Sequence, residues 1–131
     1  MQKSLILVLI VSLFLRFINF DFPFFTADEA RVAYRGYTLV TVGKDELGRS
    51  WPLLFNSSDD FQLPLTSYLT ALSIKLFGKT ELGARAPSLI LGTLLVLLCY
   101  LTVINLTKNR KLAIFTAWVV CLTPTLIFLS R

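Results

Sequence analysis

Apolar positions along the chain fall into three long runs, and one mixed stretch of about sixty residues separates the first run from the other two. Residues 86–106 and 112–130 carry no charged side chain, and each is close to the roughly 20 apolar residues that a helix needs to cross a bilayer. The first run covers residues 4 to about 25 and is interrupted by Arg16, Asn19 and Asp21. Its basic start at Lys3 fits a signal peptide, but bulky Phe20, Phe22, Phe24 and Phe25 follow where small residues would mark a cleavage site, so it reads as a retained membrane helix. The pattern predicts three membrane helices, at about 4–25, 86–106 and 112–130, with a loop at about 26–85 on one side of the membrane.

The loop has its own elements. Thr26-Ala27-Asp28-Glu29 has the form of a capping box, and the helix it starts extends to about Val42, where Gly43 ends it. Ala30, Ala33, Tyr34, Tyr37 and Thr41 share one face of this helix, and Asp28, Arg31 and Arg35 share another. A turn-rich stretch follows, through Lys44-Asp45-Glu46-Leu47-Gly48-Arg49, Trp51-Pro52 and Asn56-Ser57-Ser58-Asp59-Asp60. A second helix is expected from Pro64, which suits a first helical position, to Phe77, with Gly78 as its stop. Leu65, Tyr68, Leu69, Leu72 and Leu76 follow helical spacing along it. At a length of about 21 Å this helix is too short to span about 30 Å of hydrocarbon and suits the membrane surface. The fold class expected is therefore all-α, polytopic membrane helices with two amphipathic juxtamembrane helices in the first outer loop.

Composition agrees with this pattern. Hydrophobic residues make up 55% of the 131 and charged residues 16%, against about 25% charged in ordinary soluble domains, and the mean hydropathy is +0.70. A soluble domain, a disordered chain and a nucleic-acid module are all excluded on that balance, and the net charge of +5 is too diluted to form a basic tail. The placement of the charges sets an orientation. All eight acidic residues lie between Asp21 and Glu81, whereas the short connection 107–111 holds Lys108, Arg110 and Lys111 and no acid. Short basic connections stay cytoplasmic, so the loop at 26–85 is expected outside.

Candidate chemistry concentrates in that loop. The pair Asp28 and Glu29, just past a membrane helix, is placed to take a proton from an acceptor, as a carboxylate does in inverting sugar chemistry. Both also suit a helix start: Glu29 stands where a capping box wants it, and Asp28 favours the positive helix end. Spacing favours capping for Glu29 and leaves Asp28 open. Arg31 and Arg35 are one turn apart; their guanidinium forks match phosphate oxygens, but both also suit ordinary i,i+3 and i,i+4 surface pairs, Arg31 with Asp28 in particular, and spacing alone favours that ordinary reading. Arg16, deep in the first helix, either snorkels or meets an acidic partner from the outer segment. Asp45, Glu46, Asp59 and Asp60 offer hard oxygen ligands to a divalent cation, but without a metal-loop spacing a solvated turn is the plainer reading. No other cofactor is suggested. The chain has no histidine, and Cys99 and Cys121 lie in apolar runs as packing residues. Asn56-Ser57-Ser58 is a formal glycosylation triplet of the kind frequent by chance.

The ordered set of features resembles the N-terminal part of the polyprenyl-phosphate-sugar-dependent membrane glycosyltransferases with the type C fold, relatives of protein O-mannosyltransferases and aminoarabinose transferases, in particular family 39-like members. The resemblance covers nearly the whole chain. It runs through Leu15-Arg16-Phe17, Asp28-Glu29-Ala30-Arg31, Gly43-Lys44-Asp45-Glu46-Leu47-Gly48, Trp51-Pro52-Leu53, Pro64-Leu65 with Tyr68-Leu69, Leu76-Phe77-Gly78, Glu81, Arg85-Ala86-Pro87-Ser88, Pro124 and Ser130-Arg131. It implies Asp28 as the first-loop catalytic acid and general base, Glu29 as its neighbour in the motif, and Arg31 as a residue that orders the acid or meets phosphate. Relatives place a Lys before paired prolines in the second outer helix; here Gln62-Leu63-Pro64-Leu65 puts a neutral amide and a single proline at that spot. Arg85 matches an Arg before the second membrane helix and is a further substrate-binding candidate. The resemblance also implies a lipid-phosphate-linked sugar donor and a protein, lipid or glycan acceptor, with no nucleic acid involved. It places the chain as a multi-pass protein of the cell membrane with an extracytoplasmic site. Members are longer, with a second acidic position beyond the match to Ser130-Arg131, so the chain is expected to be an N-terminal portion, inactive alone. The competing readings are a small non-catalytic membrane subunit and a transporter fragment that uses Arg16.

Overall fold

The computed structural model describes residues 2–18, 26–57, 60–62 and 64–130. The end of the first apolar run (19–25), Asp59, Leu63 and Arg131 lie outside the described residues. Among the described residues the fold is all-α apart from one short hairpin, and the chain divides into two compact units, residues 23–87 and residues 1–22 with 88–131.

In the first of these units, α2 (Ala27–Thr41) starts on the capping box expected for it. The Thr26 hydroxyl accepts the Glu29 N–H at 3.3 Å and the Glu29 carboxylate accepts the Thr26 N–H at 3.0 Å. It follows α1 (Gln2–Phe17) of the other unit. The C-cap of α2 is Val42, and Gly43 turns the chain away at φ +70, a conformation that costs glycine nothing. α3 (Pro64–Phe77) occupies the range its proline and glycine punctuation predict. Between these helices the turn-rich stretch contains an element that the hydrophobic pattern did not show: β1 (Phe55–Ser57) pairs antiparallel with β2 (Asp60–Gln62), in the register Phe55↔Gln62, Asn56↔Phe61, Ser57↔Asp60.

α2 and α3 cross at Gly36. A methyl group there would come within 3.0 Å of the Ala71 backbone nitrogen and of the Thr70 methyl, tight enough that α3 would have to give by a few tenths of an ångström. The α3 face turned toward the core carries Ser67, Thr70, Ala71, Ser73 and Ile74. Leu65, Leu72 and Leu76, on the face that the spacing picks out as apolar, point outward. Leu39, Phe55 and Ala71 form a small core against which Tyr68 packs.

α4 (Glu81–Thr107) begins at Glu81, not at residue 86 as the uncharged run alone predicts. The Thr80 hydroxyl accepts the Gly83 N–H at 3.1 Å and starts the helix a turn and a half before Pro87, which therefore lies inside it. Among the described residues this helix is long and apolar enough to cross a membrane.

In the other unit, the last apolar run is not one helix from 112 to 130. It forms α5 (Arg110–Leu122), capped by the Asn109 side chain, and α6 (Pro124–Leu129). Pro124 has no N–H to donate and requires an extended residue before it, and Thr123 is extended at φ −66, ψ 114. α1 lies against α5 through Val8, with Val96 and Tyr100 of α4 joining the same core. The α5 side of the contact is Ala113, Ala117 and Cys121, small residues four apart that let helices approach without a large side chain between them.

Candidate functional site

Asp28, Glu29, Arg31 and Arg35 on α2 and Arg85 on α4 all have definite partners in the 23–87 unit. Arg85 reaches from the first turns of α4 to Glu29 on α2, Nη2 lying 3.2 Å from Oε2, with the guanidinium buried. Glu29 therefore closes its own helix cap and also binds a cation 56 residues further along the chain. Arg35 is fully buried, bonded to the Glu46 carboxylate and stacked 5.5 Å above the Phe55 ring. It fastens the 44–62 segment to α2, and this is a structural duty rather than exposure to a ligand. Arg31 lies on the surface side, 3.8 Å from Asp28. Asp28 differs from its neighbours: its side chain is 79% exposed and the 3.8 Å approach to Arg31 is its ion pair.

The acidic turn is exposed over residues 46–50, as a solvated turn would be, with Asp45 as the exception. Asp45 is buried, and its Oδ1 accepts the backbone N–H groups of Leu47 at 3.0 Å and Arg49 at 2.7 Å. Its Oδ2 faces the Arg49 guanidinium at 2.8 Å. Burial alone would raise the Asp45 carboxyl, but the Arg49 backbone, side chain and charge, with the Leu47 N–H, outweigh it and hold the group below the ordinary carboxylate range. Both Asp45 oxygens and the Glu46 Oε1 are thus engaged by protein groups. Asp59 lies outside the described residues, and no group of metal-holding side chains occurs among those described. Next to this turn, Trp51 stacks flat on Tyr68 with ring centroids 5.9 Å apart, and the Tyr68 hydroxyl donates to the Pro52 carbonyl at 2.8 Å. Burial, together with the nearby Asp45 charge, pushes the Tyr68 phenol up from its ordinary value.

Gln62 lies at the end of β2, its backbone opposite Phe55. A cleft of about 340 Å³ opens on the other face of α2, lined by Ala30, Tyr34, Tyr37, Lys79 and Glu81 among others, with the Lys79 ammonium 4.4 Å from the Tyr37 ring centre. Asp28 does not line it. Arg16, in the other unit, is fully buried; its Nη1 donates to the Ser12 carbonyl at 3.1 Å and hydroxyl at 2.5 Å. Its Nε and Nη2 meet no hydrogen-bond partner among the described residues.

Helices α3 to α6, in this order and with Arg85 in the first turns of α4, fall within a stretch that matches a family model. The match runs over residues 62–131, more than half of the chain, and the model is that of the dolichyl-phosphate-mannose-protein mannosyltransferases. The chain belongs to this family. No curated protein and no solved structure matches it. For the mannosyltransferase family, membership makes the chain a membrane glycosyltransferase by type. The matched residues include Arg85 and the start of the uncharged run in α4, and they begin after Asp28 and Glu29, whose reading rests on their own geometry.

Sequence reasoning named Glu29 and Arg85 separately and missed that they meet. The only advance signal was the unusual position of a lone arginine at the foot of an uncharged run. Glu46 as the partner of Arg35, and Asp45 as the organiser of its turn, had no signal beyond a charged, glycine-rich segment.

Proposed function

We propose that this protein moves a sugar from a polyprenyl-phosphate donor to an acceptor hydroxyl on the extracytoplasmic face of the membrane, with Asp28 as general base. The observation that carries this reading is the contrast between the two adjacent acids. Glu29 is consumed by its cap and by Arg85, whereas Asp28 stands exposed at the same helix start, steadied by Arg31. In the step, the acceptor O–H gives its proton to the Asp28 carboxylate while its oxygen forms the new bond to the anomeric carbon. The anomeric C–O bond to phosphate breaks, and its electron pair leaves with the lipid phosphate. That leaving group is stable as an anion, so the step needs no general acid.

In this reading Arg31 holds the carboxylate or meets the phosphate, and Arg85 acts by keeping Glu29, and with it the first turn of α2, in place. Three spanning segments, with the basic 107–111 connection inside, put the 26–85 stretch on the outer side. Asp28→Asn tests the assignment through transfer of labelled sugar from the lipid donor in reconstituted membranes. Loss of a base removes about 10²–10⁴ in rate, and folded yield and donor binding are expected to stay near normal. Transfer close to that of the unmodified protein would remove Asp28 from the role.

A further inference from the structure

The cleft beside α2 holds a set of groups that the transfer step does not use. Tyr34 and Tyr37, three residues apart, stand on one side of the helix, and Ala30, Ala33 and Ala84 keep the floor beside them low. Tyr34 is 56% exposed, so its ring is open to a ligand. The walls are joined without any ligand. Ala30 follows Glu29 and Ala84 precedes Arg85, so the Glu29–Arg85 ion pair ties α2 to the first turns of α4 directly beside the cleft. At about 340 Å³ the space is within the range of ligand sites, roughly 300–1,000 Å³.

Charge decides what the cleft accepts. Lys79 and Glu81 both line it, both are exposed, and neither forms an ion pair with the other or with any other described residue. The Lys79 ammonium rests instead over the Tyr37 ring, 4.4 Å from its centre. A hydrocarbon chain laid in the cleft would cover both charges and leave them unpaired, which is costly. An anion gains Lys79 but meets Glu81, and a cation gains Glu81 but meets Lys79. The complementary ligand is neutral, has an apolar face for the alanines and Tyr34, and carries groups that both donate to a carboxylate and accept from an ammonium. Hydroxyls do both. A pyranose ring sets several of them around a C–H face, and that face suits the negative face of an aromatic ring.

We propose that this cleft is a carbohydrate subsite that holds a neutral sugar ring of the acceptor, its C–H face on Tyr34 and its hydroxyls shared between the Glu81 carboxylate and the Lys79 ammonium. Asp28 precedes Tyr34 by six residues on the same helix, about 9 Å along its axis, and does not line the cleft. The ring held there is therefore not the one that reacts: the acceptor hydroxyl sits on a neighbouring sugar of the same chain. The subsite names the acceptor as a glycan, and in that respect it rests on the transfer reading; sugar binding itself does not require Asp28 to be the base.

The test uses the whole protein in lipid nanodiscs and saturation-transfer NMR with three neutral probes, mannobiose, maltose and N,N′-diacetylchitobiose. At least one is expected to bind, with saturation strongest on the protons of one ring face. Glu81→Gln is expected to weaken that binding about tenfold or more, as loss of a hydrogen bond to a charged group does, and Tyr34→Ala several-fold; both side chains are exposed, so both variants should fold. Asp28→Asn should bind the same saccharide as tightly as the unmodified protein. No binding by any of the three, or binding that Tyr34→Ala and Glu81→Gln leave intact, overturns the proposal. So does a serine- and threonine-containing peptide that binds through Tyr34 and Glu81 where the saccharides do not, because the cleft is then a site for protein. With the bound saccharide as acceptor, Tyr34→Ala should raise KM and leave kcat nearly unchanged, and an unchanged KM removes the cleft from acceptor binding. Transfer that persists in Asp28→Asn while Tyr34→Ala still raises KM supports the subsite and counts against the base assignment alone.

Discussion

One oxygen, Oε2 of Glu29, accepts both the Thr26 backbone N–H at 3.0 Å and the Arg85 guanidinium at 3.2 Å. A helix cap and an ion pair between two helices therefore share a single atom, and the two duties separate by substitution. Glu29→Gln keeps an oxygen for the cap and removes the charge that faces Arg85. The expected loss is about 1.5–3 kcal/mol, the worth of a hydrogen bond to a charged group, less some screening because Glu29 is one-third exposed. Glu29→Ala loses the cap as well, a further cost of about 0.5–2 kcal/mol. Thermal unfolding in detergent should rank the alanine variant below the glutamine variant; equal melting would show that the cap contributes nothing.

The turn at Asp45 makes local stability depend on acid. Its carboxyl is held below its ordinary value near 3.8, so the stabilisation it gives is complete above about pH 4 and is lost as pH falls through the lower folded-state value. Trp51 reports on this turn through its stack on Tyr68. In a Trp118→Phe background its emission should change in a transition below pH 4. Asp45→Asn should abolish that transition, and the same transition in the variant would assign it to another group.

Arg16 carries a different expectation. Two of its nitrogens are buried without partners among the described residues, and buried charge of this kind is costly to fold. Arg16→Met, which keeps the stem and drops the charge, should leave the melting temperature unchanged or raise it. A clear fall would show that the two bonds to Ser12 outweigh the buried charge.

Gly92 lies against the same side chain. A methyl group there would come within 2.7 Å of Arg16 Nε and 2.6 Å of Ser130 Cβ. Overpacking of this kind costs about 1–3 kcal/mol, so Gly92→Ala should lower the melting temperature. Combining it with Arg16→Ala should recover part of the loss, since one of the two clashes disappears. Strict additivity would show that Ser130 alone carries the effect.

Topology is open to direct measurement. With the native cysteines removed, a cysteine at Ser57 should react with an impermeant thiol reagent in intact cells and one at Asn109 should not. Reversed labelling would move the Asp28 face to the cytoplasm.

What the sequence made legible was local. The Thr26–Glu29 box and the Pro64 and Gly78 boundaries depend on residues one to four apart, and all appear in the structure. The hidden features are those whose cause lies elsewhere in the chain or in a missing atom. Arg35 looked like a surface charge because its partner Glu46 sits beyond the helix end, across a turn with no periodicity to read. The apolar run at 112–130 looked continuous because hydropathy does not register the absent N–H of Pro124. The hairpin escaped because Asn56 and Asp60 break the alternation that marks a strand. Leu65, Leu72 and Leu76 were correctly grouped on one face, but grouping does not say which solvent that face meets.

The contact of Cys121 with the Val8 carbonyl spans 113 residues, and it sets a timetable for biogenesis. At synthesis rates of about 5–20 residues per second, α1 is complete on the order of ten seconds before the small-residue ridge of α5 has been made. For that interval the Val8 side of α1 lacks the Ala113, Ala117 and Cys121 part of its core. The nascent protein therefore passes through a waiting state in which its first helix depends on whatever surrounds the exit site, and a slower ribosome lengthens that exposure in direct proportion.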